Sequence, residues 1–229
     1  MLEQRHPCRI ARFSSPKWNY KKVYLHYVME IIFKWQSNSS KGGVIMKIGI
    51  IIGSTRPGRN SEAVGKWIYD LAQQRNDDAQ YELVDIADFN LPLLDEPMPP
   101  SFGQYEKEHT KKWAAKIDSF DGYIFVTPEY NHATSGALKN AIDFLYKEWN
   151  NKAAGFVGIG STGGTRAVEN LRLIMGELQV ADVRSQVALS LFTDFENFSV
   201  FKPGDHHLDA VNSMFDQVLS WSKALKTVR

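Results

Sequence analysis

A short polar segment, residues 53 to 61, has the residue types of a site for a phosphate monoester. Its small residues let main-chain N–H groups approach an anion, and its hydroxyl groups supply further donors. Its two arginines can neutralise a dianion through forked hydrogen bonds. The candidate ligands are Ser54, Thr55, Arg56, Arg59 and Ser61. A nucleoside triphosphate fits less well, because the segment lacks a Walker lysine; the alternative is a plain turn with two solvated arginines.

A second segment, residues 158 to 163, matches the Gly-x-Gly-x-x-Gly spacing of dinucleotide-binding folds. The match is weak, because in those folds the motif occupies the first βα unit and an acidic residue ends the next strand. Here Asp182 stands at the beginning of the predicted next strand. We interpret residues 160 to 165 as a glycine turn that presents N–H groups to the edge of a flat ring, with a purely structural turn as the alternative.

The most specific segment is Thr-Pro-Glu-Tyr-Asn-His at residues 127 to 132, followed by Gly-Ala-Leu-Lys-Asn-Ala-Ile-Asp at residues 136 to 143. Taken alone, the first of these runs is equally consistent with a polar turn that exposes one tyrosine. Together with Gly-Ser-Thr-Arg at 53 to 56 and Ser-Thr-Gly-Gly at 161 to 164, the two runs resemble the NADPH-dependent FMN reductase family.

The resemblance extends from Met46 to about Leu189 and implies a flavodoxin-like fold that binds FMN. It implies hydride transfer from NADPH or NADH to the flavin, and onward transfer to a flavin, quinone, azo-dye or chromate acceptor. Because the cofactor carries this chemistry, we predict no catalytic acid, base or nucleophile. The resemblance also suggests a homodimer or a higher homo-oligomer.

The resemblance assigns FMN contacts to three loops. The implied contacts are Ser54, Arg56, Arg59 and Ser61 at the phosphate, Pro128, Glu129, Tyr130 and Asn131 against the isoalloxazine, and Ser161, Gly163 and Gly164 on the other side of the ring. The chain departs from the family at Ser135, where many members have proline before the Gly-Ala-Leu-Lys-Asn run. The shape of the loop from His132 to Ser135 is therefore left open.

Parts of the sequence are also consistent with other functions. A flavodoxin-like electron carrier is the main alternative function, and a dehydrogenase without flavin depends on the weak motif at 158 to 163 alone. His132 is a possible proton donor to a quinone, although a plain loop histidine is favoured. His206 and His207 are adjacent at a predicted helix start, where histidines are usually solvated, and no third ligand has suitable spacing. We therefore predict no metal site.

Apolar runs alternate with amphipathic segments along the chain from residue 46. Strands are predicted at residues 47 to 52, 81 to 86, 122 to 127, 153 to 159 and 183 to 189, and helices at 61 to 75, 106 to 119, 136 to 149, 165 to 178 and 207 to 225. The proline-rich stretch from 90 to 102 is predicted to be an irregular loop. The alternation of strands and helices predicts an α/β fold with an open parallel five-stranded sheet and helices on both faces, as in the flavodoxin-like fold that the resemblance implies. In such a sheet, ligands bind beyond the carboxyl ends of the strands.

Composition limits the function classes. The chain has 229 residues and a net charge of +1, which gives no electrostatic reason to expect nucleic acid or a membrane as partner. The single cysteine, Cys8, excludes an intramolecular disulfide and favours a reducing compartment such as the cytoplasm.

The charge divides the chain at about residue 45. Residues 1 to 45 carry eight basic and two acidic side chains, a charge of +6, and residues 46 to 229 carry 19 basic and 24 acidic side chains, a charge of −5. Codons for the Lys-Gly-Gly-Val that precedes Met46 can spell a bacterial ribosome-binding sequence. We therefore interpret residues 1 to 45 as a basic leader, disordered or produced by an upstream start, and residues 46 to 229 as the functional domain. A transit peptide is the alternative.

Overall fold

The computed structural model describes residues 45 to 229, so all but one residue of the predicted leader lie outside the described residues. Five parallel strands form the central sheet in the order β2-β1-β3-β4-β5. They are β1 (Met46–Ile52), β2 (Ala79–Asp85), β3 (Gly122–Pro128), β4 (Ala153–Gly160) and β5 (Ala181–Ser190). This is the strand order of flavodoxin-like folds, so the predicted fold class is confirmed.

Five α-helices cover both faces of the sheet, as predicted. They are α1 (Asn60–Gln73), α2 (Glu108–Asp118), α3 (Gly136–Asp143), α4 (Thr165–Glu177) and α5 (Leu208–Leu225). Helices α1 and α5 share one buried apolar cluster, and α2, α3 and α4 share the other. Among the described residues, no helix combines the length and the apolar character needed to cross a bilayer.

The two central strands explain why the layers form. Every residue of β3 and of β4 is buried, so both faces of these strands must be covered by apolar side chains. Right-handed crossover helices provide that cover and bring all five carboxyl ends to one edge of the sheet. The loops that follow β1, β3 and β4 therefore lie at the same edge.

One local prediction was wrong, and one small element was not predicted. The helix predicted from residue 136 to 149 ends at Asp143, because the N–H of Leu145 and of Trp149 donate to carbonyls only three residues earlier and the chain turns more tightly. A hairpin of β6 (Phe195–Glu196) and β7 (Val200–Phe201) was missed. Its turn has no glycine, which is the usual signal for a tight hairpin.

One buried cation lies at the opposite edge of the sheet. The Nζ atom of Lys152 donates to the carbonyls of Ile117 and Asp118 at 3.1 and 3.2 Å, and the Asp118 carboxylate is 3.8 Å away. Burial disfavours the charged amine and lowers the pKa of Lys152 to about 8. The folded chain therefore releases this proton at a lower pH than the unfolded chain.

We expect the free energy of unfolding to rise between pH 8 and 10, because in that range the unfolded chain retains a proton that folded Lys152 has lost. The expected rise is about 2 kcal/mol. Urea titrations at several pH values measure it, and Lys152→Met should abolish it. Above pH 10 the trend should reverse, since burial raises the pKa of Tyr123. An unchanged rise in the variant would assign the effect to another group.

Candidate functional site

The loops that follow β1 and β3 contact each other through three of the predicted residues. The hydroxyl oxygens of Ser54 and Tyr130 lie 3.1 Å apart, and Arg56 Nε donates to the Tyr130 hydroxyl at 3.2 Å. The Arg56 N–H also donates to Ser54 Oγ at 3.3 Å. Ser54 is buried and Arg56 is exposed, so the guanidinium stands at the surface above a polar floor.

The beginning of α1 lies beside these residues and has unused hydrogen-bond donors. Within residues 45 to 229, no side chain caps this 14-residue helix, so its first N–H groups are available to an anion. Ser61 is buried in the first turn, and among the described residues its hydroxyl has no hydrogen-bond partner. Gly58 has a φ of +67°, and a Cβ there would meet open space. This loop has the donors and the room that a phosphate group needs.

Arg59 is not part of the same cluster. Its guanidinium pairs with the Asp85 carboxylate at the end of β2 and lies 3.6 Å from Glu62. The side chain is only 15% exposed. Its charge is therefore already balanced within the protein, whereas Arg56 has no carboxylate partner among the described residues.

Thr55 is exposed on the other side of the loop. It lines a cavity of about 430 Å³ that extends to the segment after β2 and to α3. The remaining lining residues are Ile86, Ala87, Asn90, Leu91, Ala137, Asn140 and Ala141. Thr55 therefore lies beside the phosphate-type site and faces a second space.

The loop after β3 makes a tight hairpin-like turn. The main-chain groups of Tyr130 and Ala133 exchange hydrogen bonds at 2.9 and 3.1 Å. Between them, Asn131 and His132 both have positive φ values, 49° and 67°, which is the geometry of a type I′ turn. This turn exposes Asn131 at its tip and directs Tyr130 towards the first loop. Pro128 is buried as the last residue of β3.

Glu129 faces the protein interior. Its side chain is 6% exposed, accepts the N–H of Arg166 at 3.1 Å and pairs with Arg166 Nε at 2.8 Å. The carboxylate thus satisfies the amino terminus of α4 and does not project into solvent. Glu129 therefore fixes the residue before Tyr130 to the start of α4.

Arg166 is a functional candidate that the sequence analysis missed. In addition to Glu129, its guanidinium bonds His132 Nε2 at 2.6 Å and donates to Thr162 Oγ1 at 2.8 Å. One side chain therefore joins the loop after β3 to the loop after β4. The sequence could have indicated it, because a cation in the first turn of a helix is disfavoured by the helix dipole. An arginine at the start of the predicted fourth helix therefore suggests a contact with an acidic or functional group.

The glycine turn after β4 is closely packed on the sheet. Gly163 and Gly164 are buried with φ values of +72° and +65°, and a Cβ on Gly164 would lie 2.4 Å from the main-chain nitrogen of Ile159. A Cβ on Gly163 would lie 2.7 Å from the Cβ of Ala188. These glycines are required by the packing of the turn. The exposed residue of the predicted set in this loop is Ser161.

Ser135, which stands where many family members have proline, fixes the shape of the loop from His132 to Ser135. Its hydroxyl accepts the N–H of Leu138 at 3.0 Å and so caps α3, and it also donates to the carbonyl of Gly53. The hydroxyls of Thr127 and Thr134 are 2.8 Å apart. The loop after β3 is therefore tied both to its own helix and to the first loop.

The expectation of two solvated histidines was wrong for His207. This residue is buried, and its Nε2 lies 2.8 Å from a carboxylate oxygen of Asp194, which the spacing argument had not considered. Burial opposes ionisation of Asp194, but hydrogen bonds from His207, the Ser190 N–H and Thr193 outweigh it and hold the pKa of Asp194 below its usual value. Asp194 thereby anchors the turn after β5.

Comparisons with known proteins agree on one family. The model of the NADPH-dependent FMN reductase family matches residues 46 to 194. The NAD(P)H-dependent FMN reductase ntnL of Nectria sp is 42% identical over 167 residues, which cover 69% of this chain and 82% of the relative. A quinone reductase of Pseudomonas putida is 28% identical over 80% of this chain and 98% of its own length.

A solved structure supports the fold. The flavoenzyme FerB of Paracoccus denitrificans, described as an NAD(P)H:(acceptor) oxidoreductase, superposes with a TM-score of 0.62. The superposition covers 79% of this chain and 98% of FerB at 19% sequence identity. The similarity therefore extends over nearly the whole of the solved protein.

We expect Arg166→Met to lower the free energy of unfolding by roughly 2 kcal/mol, because buried Glu129 would lose its cation. Urea denaturation measures the change. Arg56→Met is the matched control, since exposed Arg56 has no carboxylate partner among the described residues. The double variant Glu129→Gln with Arg166→Met should recover part of the loss. Equal losses in the Arg166 variant and the control would contradict the assignment.

Proposed function

The chain belongs to the NADPH-dependent FMN reductase family, and we propose that it holds FMN in the cleft formed by the loops after β1, β3 and β4. It is an NAD(P)H-dependent oxidoreductase that reduces small-molecule acceptors through FMN. The main support for this site is the cluster of Ser54, Arg56 and Tyr130. Its hydrogen bonds join the loop after β1, which has donors for the phosphate, to the loop after β3, which can contact the isoalloxazine ring.

The donors at the first loop fit the phosphate of FMN. The N–H groups at the start of α1, the hydroxyl of Ser61 and the exposed guanidinium of Arg56 together offer neutral and charged donors to one dianion, and the first two have no side-chain partner in the part of the chain that the structure describes. The buried Ser54 hydroxyl helps to position Arg56, because it accepts the main-chain N–H of Arg56 and contacts the Tyr130 hydroxyl. We assign Arg59 a different role, which is to hold the start of α1 against Asp85.

The other two loops fit the isoalloxazine. Tyr130 and Asn131 would contact the ring from the turn after β3, and Ser161 would contact it from the turn after β4. Pro128 and Glu129 support the first turn, while Gly163 and Gly164 let the second turn lie close to the sheet. The Arg166 side chain then sets the separation of the two turns.

When bound, FMN supplies the chemistry by accepting hydride from NAD(P)H and passing electrons to the acceptor. The protein contributes binding and orientation. The Glu129 carboxylate is bonded to Arg166 and is therefore not a free base. Hydride transfer from the nicotinamide to the flavin needs no general base, so we assign none.

The proline-rich loop, residues 90 to 102, offers apolar surface that suits flat acceptors such as quinones, flavins and azo dyes. Asn140 holds the proline-rich loop in place, since its Nδ2 donates to the carbonyl of Pro92 at 2.6 Å and its Oδ1 accepts the N–H of Leu94 at 3.0 Å. The loop exposes large apolar side chains, among them Leu93 and Phe102. The quinone reductase relative agrees with this class of acceptor.

We further propose a homodimer and a reducing, cytoplasmic location. The resemblance to the family supports the first, and the single cysteine of the sequence supports the second. Sedimentation of the purified protein would measure its mass in solution, and a monomer at all concentrations would contradict the dimer.

We expect the full-length protein to bind FMN and to oxidise NAD(P)H in steady state, and Arg56→Ala to weaken FMN binding about ten- to hundredfold. The reason is the loss of one charge-assisted hydrogen bond, worth roughly 1.5 to 3 kcal/mol. Riboflavin, which lacks the phosphate, should bind both proteins alike. Fluorescence titration of FMN and riboflavin measures the four affinities.

Arg184→Ala is the matched control, because Arg184 is an exposed arginine of β5 away from the three loops. It should leave both affinities unchanged. Absence of FMN binding to the unmodified protein would refute the proposed site. An equal loss for FMN and riboflavin would remove Arg56 from the phosphate.

A further inference from the structure

Two exposed phenylalanines form a pair near the proposed FMN cleft. Phe192 follows β5 and is 68% exposed, and Phe198 lies in the β6–β7 turn and is 59% exposed. Their ring centroids are 5.7 Å apart with an angle of 82° between the planes. In this edge-to-face arrangement one ring directs its edge at the other, so the pair retains open aromatic surface.

Hydrogen bonds connect this pair to two of the three loops. Asn60 Nδ2, next to Ser61, donates to the carbonyl of Phe198 at 2.8 Å. The Phe192 N–H donates to Ser190 Oγ at 3.2 Å, and Ser190 Oγ donates to the carbonyl of Ser161 at 3.3 Å. The phenylalanine pair thus borders both the phosphate-type loop and the glycine turn.

The pair is presented to solvent by the backbone. Asn197 and Phe198 have φ values of 50° and 57°, a conformation that is unfavourable for a phenylalanine. In contrast, Phe195 and Phe201 of the same hairpin point inward and contact each other at a centroid distance of 5.1 Å. The hairpin therefore buries the ring of Phe195, half-buries that of Phe201 and holds the ring of Phe198 outward.

We propose that the Phe192 and Phe198 pair is the platform on which the adenine ring of NAD(P)H stacks. This inference rests on the proposed function, because it assumes that FMN occupies the cleft. The nicotinamide must reach the flavin, so the adenosine half of the dinucleotide extends beyond the cleft and needs its own contact. An exposed aromatic pair at the rim offers the π surface that a purine ring prefers.

The size and place of the pair favour a nucleotide over a protein partner. Stable protein interfaces bury about 800 Å² on each side and involve some 20 to 30 residues. Two rings at the rim of a small-molecule site match one base instead. Phe198 also lies outside residues 46 to 194, the part of the chain that the family model matches.

The test uses the full-length protein loaded with FMN and the variants Phe192→Ala, Phe198→Ala and the double variant. Calorimetric titration with ADP-ribose, the part of the donor without nicotinamide, should show five- to hundredfold weaker binding in the double variant. KM should rise similarly for NADPH or NADH, whichever the enzyme uses, and stay unchanged for reduced nicotinamide mononucleotide, which has no adenosine. Leu173→Ala, an exposed apolar residue of α4, is the matched control.

Each other outcome overturns the inference. Unchanged ADP-ribose affinity in the double variant would exclude adenine stacking, and an equal KM increase for both hydride donors would place the effect at the nicotinamide or the loops. Loss of a dimer with unchanged ADP-ribose affinity would make the pair a subunit contact. Failure of the unmodified protein to bind FMN would refute the proposed function itself, and the FMN titration detects that failure before any ADP-ribose is added.

Discussion

The complete burial of β3 and β4 is the constraint on which the rest of the structure depends. Strands with no exposed residue need apolar cover on both faces, and the helices provide it only if successive strands run parallel. Parallel strands place all carboxyl ends at one edge. The polar loops after β1, β3 and β4 are therefore brought together by the packing of apolar side chains far from the loops themselves.

Polar contacts then give these loops their individual shapes. Ser135 ties the start of α3 to Gly53, Arg166 joins the turns after β3 and β4, and Tyr130 bonds the first loop. None of these contacts belongs to the regular hydrogen bonds of the sheet. Burial of apolar side chains therefore decides where the loops lie, and side-chain hydrogen bonds, both neutral and charge-assisted, decide which groups each loop exposes.

The sequence predicted the elements better than the partners of charged side chains. The apolar runs indicated all five strands, and amphipathic spacing indicated the helices, because both signals are local. The partners of Arg59 and Glu129 were not predictable in this way. Asp85 is 26 residues from Arg59, and Arg166 is 37 residues from Glu129, so each pairing depends on the assembled fold. The β6–β7 turn was not predicted because its positive φ values occur at Asn197 and Phe198 and not at a glycine.

Two pairs of adjacent non-glycine residues with positive φ values lie at the same edge of the sheet. The pairs at Asn131 and His132 and at Asn197 and Phe198 lie in turns at the edge where the loops gather. Each such residue costs about 1 to 3 kcal/mol and persists only where its surroundings hold it. Reciprocal main-chain hydrogen bonds hold the first turn. The hydrogen bond from the Asn60 amide and the inward rings of Phe195 and Phe201 hold the second. At these two turns the strained backbone holds exposed side chains in a fixed direction, which is the property that recognition of rigid, flat ligands requires.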